Sequence, residues 1–345
     1  MFERILVPLD GSERAESAIP IAARVARAYD GSIVLLRVVT TPIEYGPYLA
    51  PSESLMRRTV EEDVAEATKY LERVAKSEAL AGITVEAKAL FGAAAPTIMD
   101  AIPLFQINLV AMCSHGYTGV KRWILGSVAD KIVRYAPVPV FILRDGMPLT
   151  TTPEKPVRAL VSLDGSALSE AVLEPAAYLV SALAEGTSAR GELHLLRVVD
   201  LPYASSTLHS QAYITKETRE KARADAEAYL EKMQNLLYNA GVEMFNITVS
   251  TSVASDPDVA EAIAKTAEGY DLIAMATHGR SGVSHFLLGS ITERVLHTTK
   301  LPLMVVRPQK QAAKTSEEQV MVEGEEIVVN TSEEKGTEQG WVGLL

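Results

Sequence analysis

An α/β fold is expected, built as two tandem units that each carry a five-stranded parallel sheet sandwiched by helices. Three observations predict it. One stretch occurs twice, as Met112-Cys113-Ser114-His115-Gly116 leading to Gly126-Ser127-Val128, and as Met275-Ala276-Thr277-His278-Gly279 leading to Gly289-Ser290-Ile291. The run 159–166 repeats 5–12, so that Asp164-Gly165-Ser166 answers Asp10-Gly11-Ser12, and Leu-Leu-Arg-Val-Val recurs in 194–199 and 34–39. Between these landmarks, short apolar runs alternate with segments of helical periodicity, the order of a parallel sheet covered on both faces. Each unit is therefore Rossmann-like.

Taken in order, residues 4–10 form a β-rich run closed by Asp-Gly-Ser, with Ser12 placed to cap a helix. Ala15, Ala18, Ile19, Ala22, Val25 and Ala26 recur at helical spacing, which predicts one helix over 12–29. Residues 32–39 read as the second strand, and the Pro- and Gly-bearing stretch after it as a loop. A helix over 59–78, a strand over 83–90, a helix over 97–105 and a strand over 108–113 follow. A helix over 127–135 and a strand over 138–143 close the unit. The second unit repeats the programme, with its long helix over 217–240. The units are bounded as 1–147 and 156–308, with a linker at 148–155. Residues 309–345 read as an acidic, mobile tail, in which 319–322 and 327–329 could pair as a hairpin.

Composition narrows the function. The 345-residue chain has a net charge of −11, which argues against nucleic-acid binding, since phosphate contacts need a basic surface. Eight Glu and two Lys within 311–345 place much of that charge in the tail. No apolar run is read as reaching the roughly 18 residues of a membrane span, and the N-terminus enters a strand without a signal-peptide layout. The single cysteine excludes an intrachain disulfide framework and a cysteine-cluster metal site. A soluble, cytoplasmic protein is expected.

The duplicated junctions carry the chemistry. Each ends a strand and opens a helix, offering backbone N–H groups and a positive helix end to an anion such as phosphate. Neither is a Walker loop nor the dinucleotide Gly-x-Gly-x-x-Gly, and a glycine also marks a plain tight turn. Three features favour a ligand. The glycines follow a middle strand at its carboxyl end, where open α/β sheets bind ligands. Ser127 and Ser290 are placed as helix caps that present hydroxyls. Asp10 and Asp164 end the first strand of each unit, where a carboxylate can accept hydrogen bonds from a nucleoside. His115 and His278 lack any repeated nucleophile or carboxylate constellation and are read as ordering their own loops through backbone hydrogen bonds. Cys113 answers Ala276 and reads as a small buried hydrophobe. Lys121, Arg122 and Arg280 suit either a phosphate or a solvated loop face. No metal-ligand spacing appears.

These residues make the chain resemble a tandem universal stress protein over about residues 1–147 and 156–308. The family's ATP-binding members carry Gly, two residues, Gly, nine residues, then Gly-Ser/Thr. Here the copies read Cys113-x-x-Gly116 to Gly126-Ser127 and Ala276-x-x-Gly279 to Gly289-Ser290, departing at the first glycine. The resemblance implies an adenine nucleotide (ATP, or ADP or AMP) across the carboxyl edge, optionally with Mg²⁺ held by phosphate oxygens and Ser127 or Ser290. It places Pro8, Leu9, Asp10 and Val38 around adenine and ribose. Met112, Cys113, Gly116, Gly126, Ser127 and Val128 then hold ribose and phosphates. The second site is Leu163, Asp164, Val198, Met275, Ala276, Gly279, Gly289, Ser290 and Ile291, with Ser162 where the first unit has Pro8. The resemblance also implies that the domains pair through their final strands, 138–143 with 303–307, making one chain equivalent to a dimer and leaving homodimerisation open.

The leading expectation is a nucleotide-binding stress or signalling protein that acts through binding. An interaction module without ligand is one alternative. A slow ATP hydrolase is another, against which stands the lack of a general base or metal-holding carboxylate pair beside the phosphates.

Overall fold

The computed structural model describes residues 1–40, 53–114, 125–144, 155–200, 216–278 and 288–308. The first half runs β1 (Arg4–Pro8), α1 (Glu13–Glu16), α2 (Ile19–Ala28), β2 (Ser32–Val39), α3 (Glu53–Ala75), β3 (Thr84–Phe91), α4 (Ala94–Leu104), β4 (Leu109–Cys113), α5 (Ser127–Tyr135) and β5 (Val140–Leu143). The second runs β6 (Arg158–Ser162), α6 (Ala167–Glu170), α7 (Leu173–Ala184), β7 (Gly191–Val199), α8 (Lys216–Asn239), β8 (Ile247–Ser255), α9 (Val259–Thr266), β9 (Leu272–Ala276), α10 (Ser290–Thr298) and β10 (Leu303–Val306). Every residue of β4, β5, β9 and β10 is buried, as strands covered on both faces must be.

The five strands of each half do not close separate sheets. They join in one ten-stranded sheet of order β3-β2-β1-β4-β5-β10-β9-β6-β7-β8. All pairs are parallel except the central one, where β10 meets β5 antiparallel through Leu303↔Ile142, Met304↔Phe141 and Val305↔Val140. Within each half the strand order reverses beside the first strand. β1 pairs β2 on one side and β4 on the other, and β6 likewise pairs β7 and β9. Such a reversal opens a crevice at the carboxyl ends of the strands.

Local chemistry explains where the elements depart from the periodicity. The helix expected over 12–29 breaks into α1 and α2, because Pro20 has no N–H for an i→i−4 bond and seats itself in the first turn of a new helix. α4 starts at Ala94, ahead of the expected 97, since Pro96 lacks only an N–H that a first turn leaves orphaned. α3 likewise begins at Glu53 and ends at Ala75, followed by a short 3₁₀ turn at Glu78–Leu80. β5 begins at Val140 because Pro137 and Pro139 cannot donate to the ladder. The stretch 167–184 is apolar enough for a membrane span, yet it is split between α6 and α7 and mostly buried in the fold. The proposed tail hairpin and most of the linker lie outside the described residues.

One continuous core spans both halves. Leu6, Val34, Leu36, Val110 and Ile142 pack with Ile98 and Ile132, and in the same cluster lie Leu160, Leu196, Ile263, Ile273, Val295 and Val305. On the opposite face, Phe2, Tyr29, Tyr178 and Phe245 stack edge to face at centroid distances of 5.7–6.3 Å. The Tyr29 hydroxyl donates to the Tyr178 carbonyl at 2.7 Å. At the central seam, Arg134 near the end of α5 grips Asp130 at 2.9 Å and reaches Glu293 of α10 at 2.8 Å.

Candidate functional site

The site is built twice, beginning where the first strand of each half ends. Asp10 Oδ1 accepts from the Ser12 N–H at 3.0 Å and the Ser12 hydroxyl at 2.6 Å, and Ser12 Oγ accepts from the Ala15 N–H at 3.2 Å to cap α1. Asp164 repeats this on Ser166 at 2.9 and 2.6 Å, and Ser166 caps α6 through Ser169 at 3.2 Å. The aspartates thus carry a structural duty beside the one expected of them: one oxygen of each shapes its own turn.

That turn rests on residues the sequence reading missed. Gly11 and Gly165 have φ of +92° and +87°, and a Cβ on Gly165 would stand 2.9 Å from the Arg197 guanidinium carbon. Arg37 lies against Gly11 in the same way. Each arginine sits 4.9 Å over a tyrosine ring, Arg37 on Tyr70 and Arg197 on Tyr229. The tyrosine hydroxyls donate to Glu16 at 2.7 Å and Glu170 at 3.2 Å. Burial, then the adjoining Glu16 or Glu170, lifts both phenols above their usual range. The signal was present in the repeat, since Arg37 and Arg197 occupy the same place in Leu-Leu-Arg-Val-Val.

Beside the turn, Leu9 and Leu163 donate to the Leu36 and Leu196 carbonyls at 2.8 and 2.9 Å, extending the sheet past β1 and β6. Met112, Cys113, Met275 and Ala276 are buried at the ends of β4 and β9. Val38, Val128, Val198 and Ile291 are partly buried against the shared core. Pro8 and Ser162 end β1 and β6 and are half-buried. The structure thus brings both aspartates and the helix-start glycines Gly126 and Gly289 to the carboxyl edge, at the two reversal points.

At the junctions the capping residue differs from the one expected. Gly126 and Gly289 are the N-caps, and Ser127 and Ser290 are the first helical residues with exposed side chains. The reason is a closing contact: Gly126 N–H donates to the Ser114 carbonyl at 2.9 Å and Gly289 N–H to the Thr277 carbonyl at 2.8 Å. A Cβ on Gly289 would meet that carbonyl oxygen at 2.9 Å. Neither cap has a side chain to spend on the first turn, so its N–H groups depend on water or a ligand. Thr292 Oγ1 donates to the Ala276 carbonyl at 2.8 Å, tying α10 to the end of β9. His278 Nδ1 lies 2.8 Å from the Thr277 hydroxyl, so a neighbouring side chain holds this ring. His115, Gly116, Lys121, Arg122, Gly279 and Arg280 lie outside the described residues. Among the described residues no group of three His, Cys, Asp or Glu side chains could hold a metal ion.

Strand order, reversal points and glycine-capped helix starts define a tandem α/β protein with one candidate crevice per half. The model of the Universal stress protein family matches residues 1–144 and 157–307, and the chain belongs to that family of stress-response proteins. It is 27% identical over 317 residues to a universal stress protein of Mycolicibacterium smegmatis, covering 88% of this chain and 97% of the other. Universal stress protein Rv2005c of Mycobacterium tuberculosis is 25% identical over 315 residues, covering 88% and 96%. The crystal structure of a universal stress protein from Archaeoglobus fulgidus superposes with a TM-score of 0.59 at 22% identity, covering 90% of this chain and all of that one. That likeness confirms the fold.

Proposed function

We propose that each half binds an adenine nucleotide (ATP, or ADP or AMP) and that the protein acts through binding and not turnover. One observation carries the reading: in both halves, the Asp-Gly-Ser turn and the glycine-capped helix start share the carboxyl edge at the strand reversal. Val38 and Val198, partly buried near the carboxyl ends of β2 and β7, suit the apolar face of a planar base. The first-turn amides of α5 and α10, with the exposed Ser127 and Ser290 hydroxyls, suit phosphate oxygens. Any Mg²⁺ bound with the nucleotide would be held by its phosphate oxygens together with Ser127 or Ser290, whose side chains are exposed. The departures at Cys113 and Ala276 are small side chains already buried in the sheet.

The test is to denature the purified protein, chromatograph the released small molecules, and titrate the stripped protein with ATP by calorimetry. Asp10→Ala and Asp164→Ala are each expected to weaken binding in their own half by tenfold or more, about 1.4 kcal/mol. Unchanged affinity in both variants, or no adenine compound bound by the wild type, would overturn the assignment.

A further inference from the structure

Four residues in each half close a ring of contacts around the aspartate turn. The Arg37 Cζ and both its Nη atoms lie 3.3–3.4 Å from where a Cβ on Gly11 would stand. Near-equal distances to all three atoms mean that the guanidinium meets the glycine with its plane and not its edge. The same guanidinium lies over the Tyr70 ring, 4.9 Å from the centroid. The Tyr70 hydroxyl donates to Glu16, the last residue of α1, at 2.7 Å. Ser12 caps that helix, and its N–H and hydroxyl hold Asp10. The contacts thus run from the turn to β2, on to α3, and back through α1 to the turn.

The second half repeats the ring. The Arg197 Cζ and Nη atoms lie 2.9–3.2 Å from a Cβ built on Gly165, and the guanidinium stands 4.9 Å over Tyr229 of α8. The Tyr229 hydroxyl reaches Glu170, the last residue of α6, at 3.2 Å, and Ser166 caps α6 while holding Asp164. Both arginines come from the carboxyl ends of β2 and β7, directly before Val38 and Val198. Side chains alternate along a strand, so each arginine leaves the sheet on the face opposite that valine. It reaches a ligand through the turn and not by touching it.

We propose that Arg37 and Arg197 are positioning residues, each holding its Asp-Gly-Ser turn in the form that presents the aspartate to the nucleoside end of the ligand. The inference rests on the reading of Asp10 and Asp164 as nucleoside contacts. A turn that is already set loses less conformational freedom on binding than one the ligand must order, a difference of about three- to tenfold in affinity.

The experiment compares the full chain with the paired variants Arg37→Gln/Arg197→Gln, Arg37→Lys/Arg197→Lys and Tyr70→Phe/Tyr229→Phe, and with Arg37→Gln alone. Adenosine, ATP and inorganic pyrophosphate are titrated by calorimetry, and amide hydrogen exchange is followed in the free proteins. In the paired glutamine variant, adenosine and ATP affinity are expected to fall by the same factor, about three- to tenfold, with pyrophosphate changed less than twofold. The lysine pair is expected to lose as much, since an ammonium has no plane to lay on the glycine, whereas the phenylalanine pair keeps the ring and retains binding. Arg37→Gln alone is expected to weaken one of the two sites. In the free glutamine pair, exchange is expected to quicken in peptides covering 10–16 and 164–170 but not in those covering β4 and β9. Unchanged adenosine affinity in the glutamine pair, or an equal loss for pyrophosphate, would overturn the inference; should that pair not fold, the lysine pair answers the same questions. A wild type that binds neither adenosine nor ATP sinks the nucleotide reading instead. Quickened exchange confined to the two turns then still upholds the arginines as what sets them, and unchanged exchange overturns that as well.

Discussion

Asp10 and Asp164 show how one side chain serves fold and site together. Each spends an oxygen on its own turn, so removing it loosens the loop as well as any ligand contact. Gly165 separates the two effects. Its φ of +87° lies where a Cβ is strained, and the added atom would also press on the Arg197 guanidinium. Gly165→Ala is expected to destabilise the protein by about 1–2 kcal/mol, read from chemical denaturation. Part of the clash is relieved because Arg197 is a flexible chain end, but the backbone strain is not. An unchanged midpoint would show that the turn has another low-energy shape.

At the scale of elements, the edge strand β8 is fastened to β7 by a histidine. His194 Nδ1 and Nε2 lie 2.8 and 2.7 Å from the Ser250 and Ser252 hydroxyls, and its ring rests against Tyr270. The first half has buried Val34 in the same register position, opposite Glu86. Burial, then the nearby Arg158, lowers the His194 pKa, while Glu192 opposes the shift. The unfolded chain therefore takes up the proton first. Stability from this group is complete above its ordinary value near 6.5 and is lost as the pH falls below it. Urea unfolding at about pH 7.5 and about pH 5.5 is expected to show that loss, and His194→Gln to shrink it. A variant with the same pH dependence as the wild type would exclude His194 as the source.

For the whole molecule, the central β5–β10 pairing and the shared core make the two halves one cooperative body. Val140, Phe141, Ile142 and Leu143 of β5 are at most 3% exposed, and β10 covers their edge. A single calorimetric unfolding transition is expected for 1–308, and two resolved transitions would contradict it. The isolated half 1–144 uncovers a flat apolar edge. It is expected to self-associate through β5, measured by light scattering after gel filtration, whereas a monomer at tens of micromolar would show that the seam is dispensable.

Much of this was legible in the chain. The bounds of β2 and α5 fall where the apolar runs place them, because burial of a strand or helix face imprints a local period on the residues. The repeat revealed the tandem plan for the same reason, and the glycine spacing marked the junctions. The change of cap from Ser127 to Gly126 was not legible, since it accompanies a bond from Gly126 back to Ser114 just past the end of β4. Nor was Arg144, whose hydrogen-bond partner lies 152 residues away. Sequence alone determined the alternation of elements, the duplication and the candidate edge, all of which are written in neighbouring residues. Only the tertiary structure decided that two five-stranded units become one sheet and that Arg144 is buried against a carbonyl of the other half's last helix, because each depends on which distant surface closes over it.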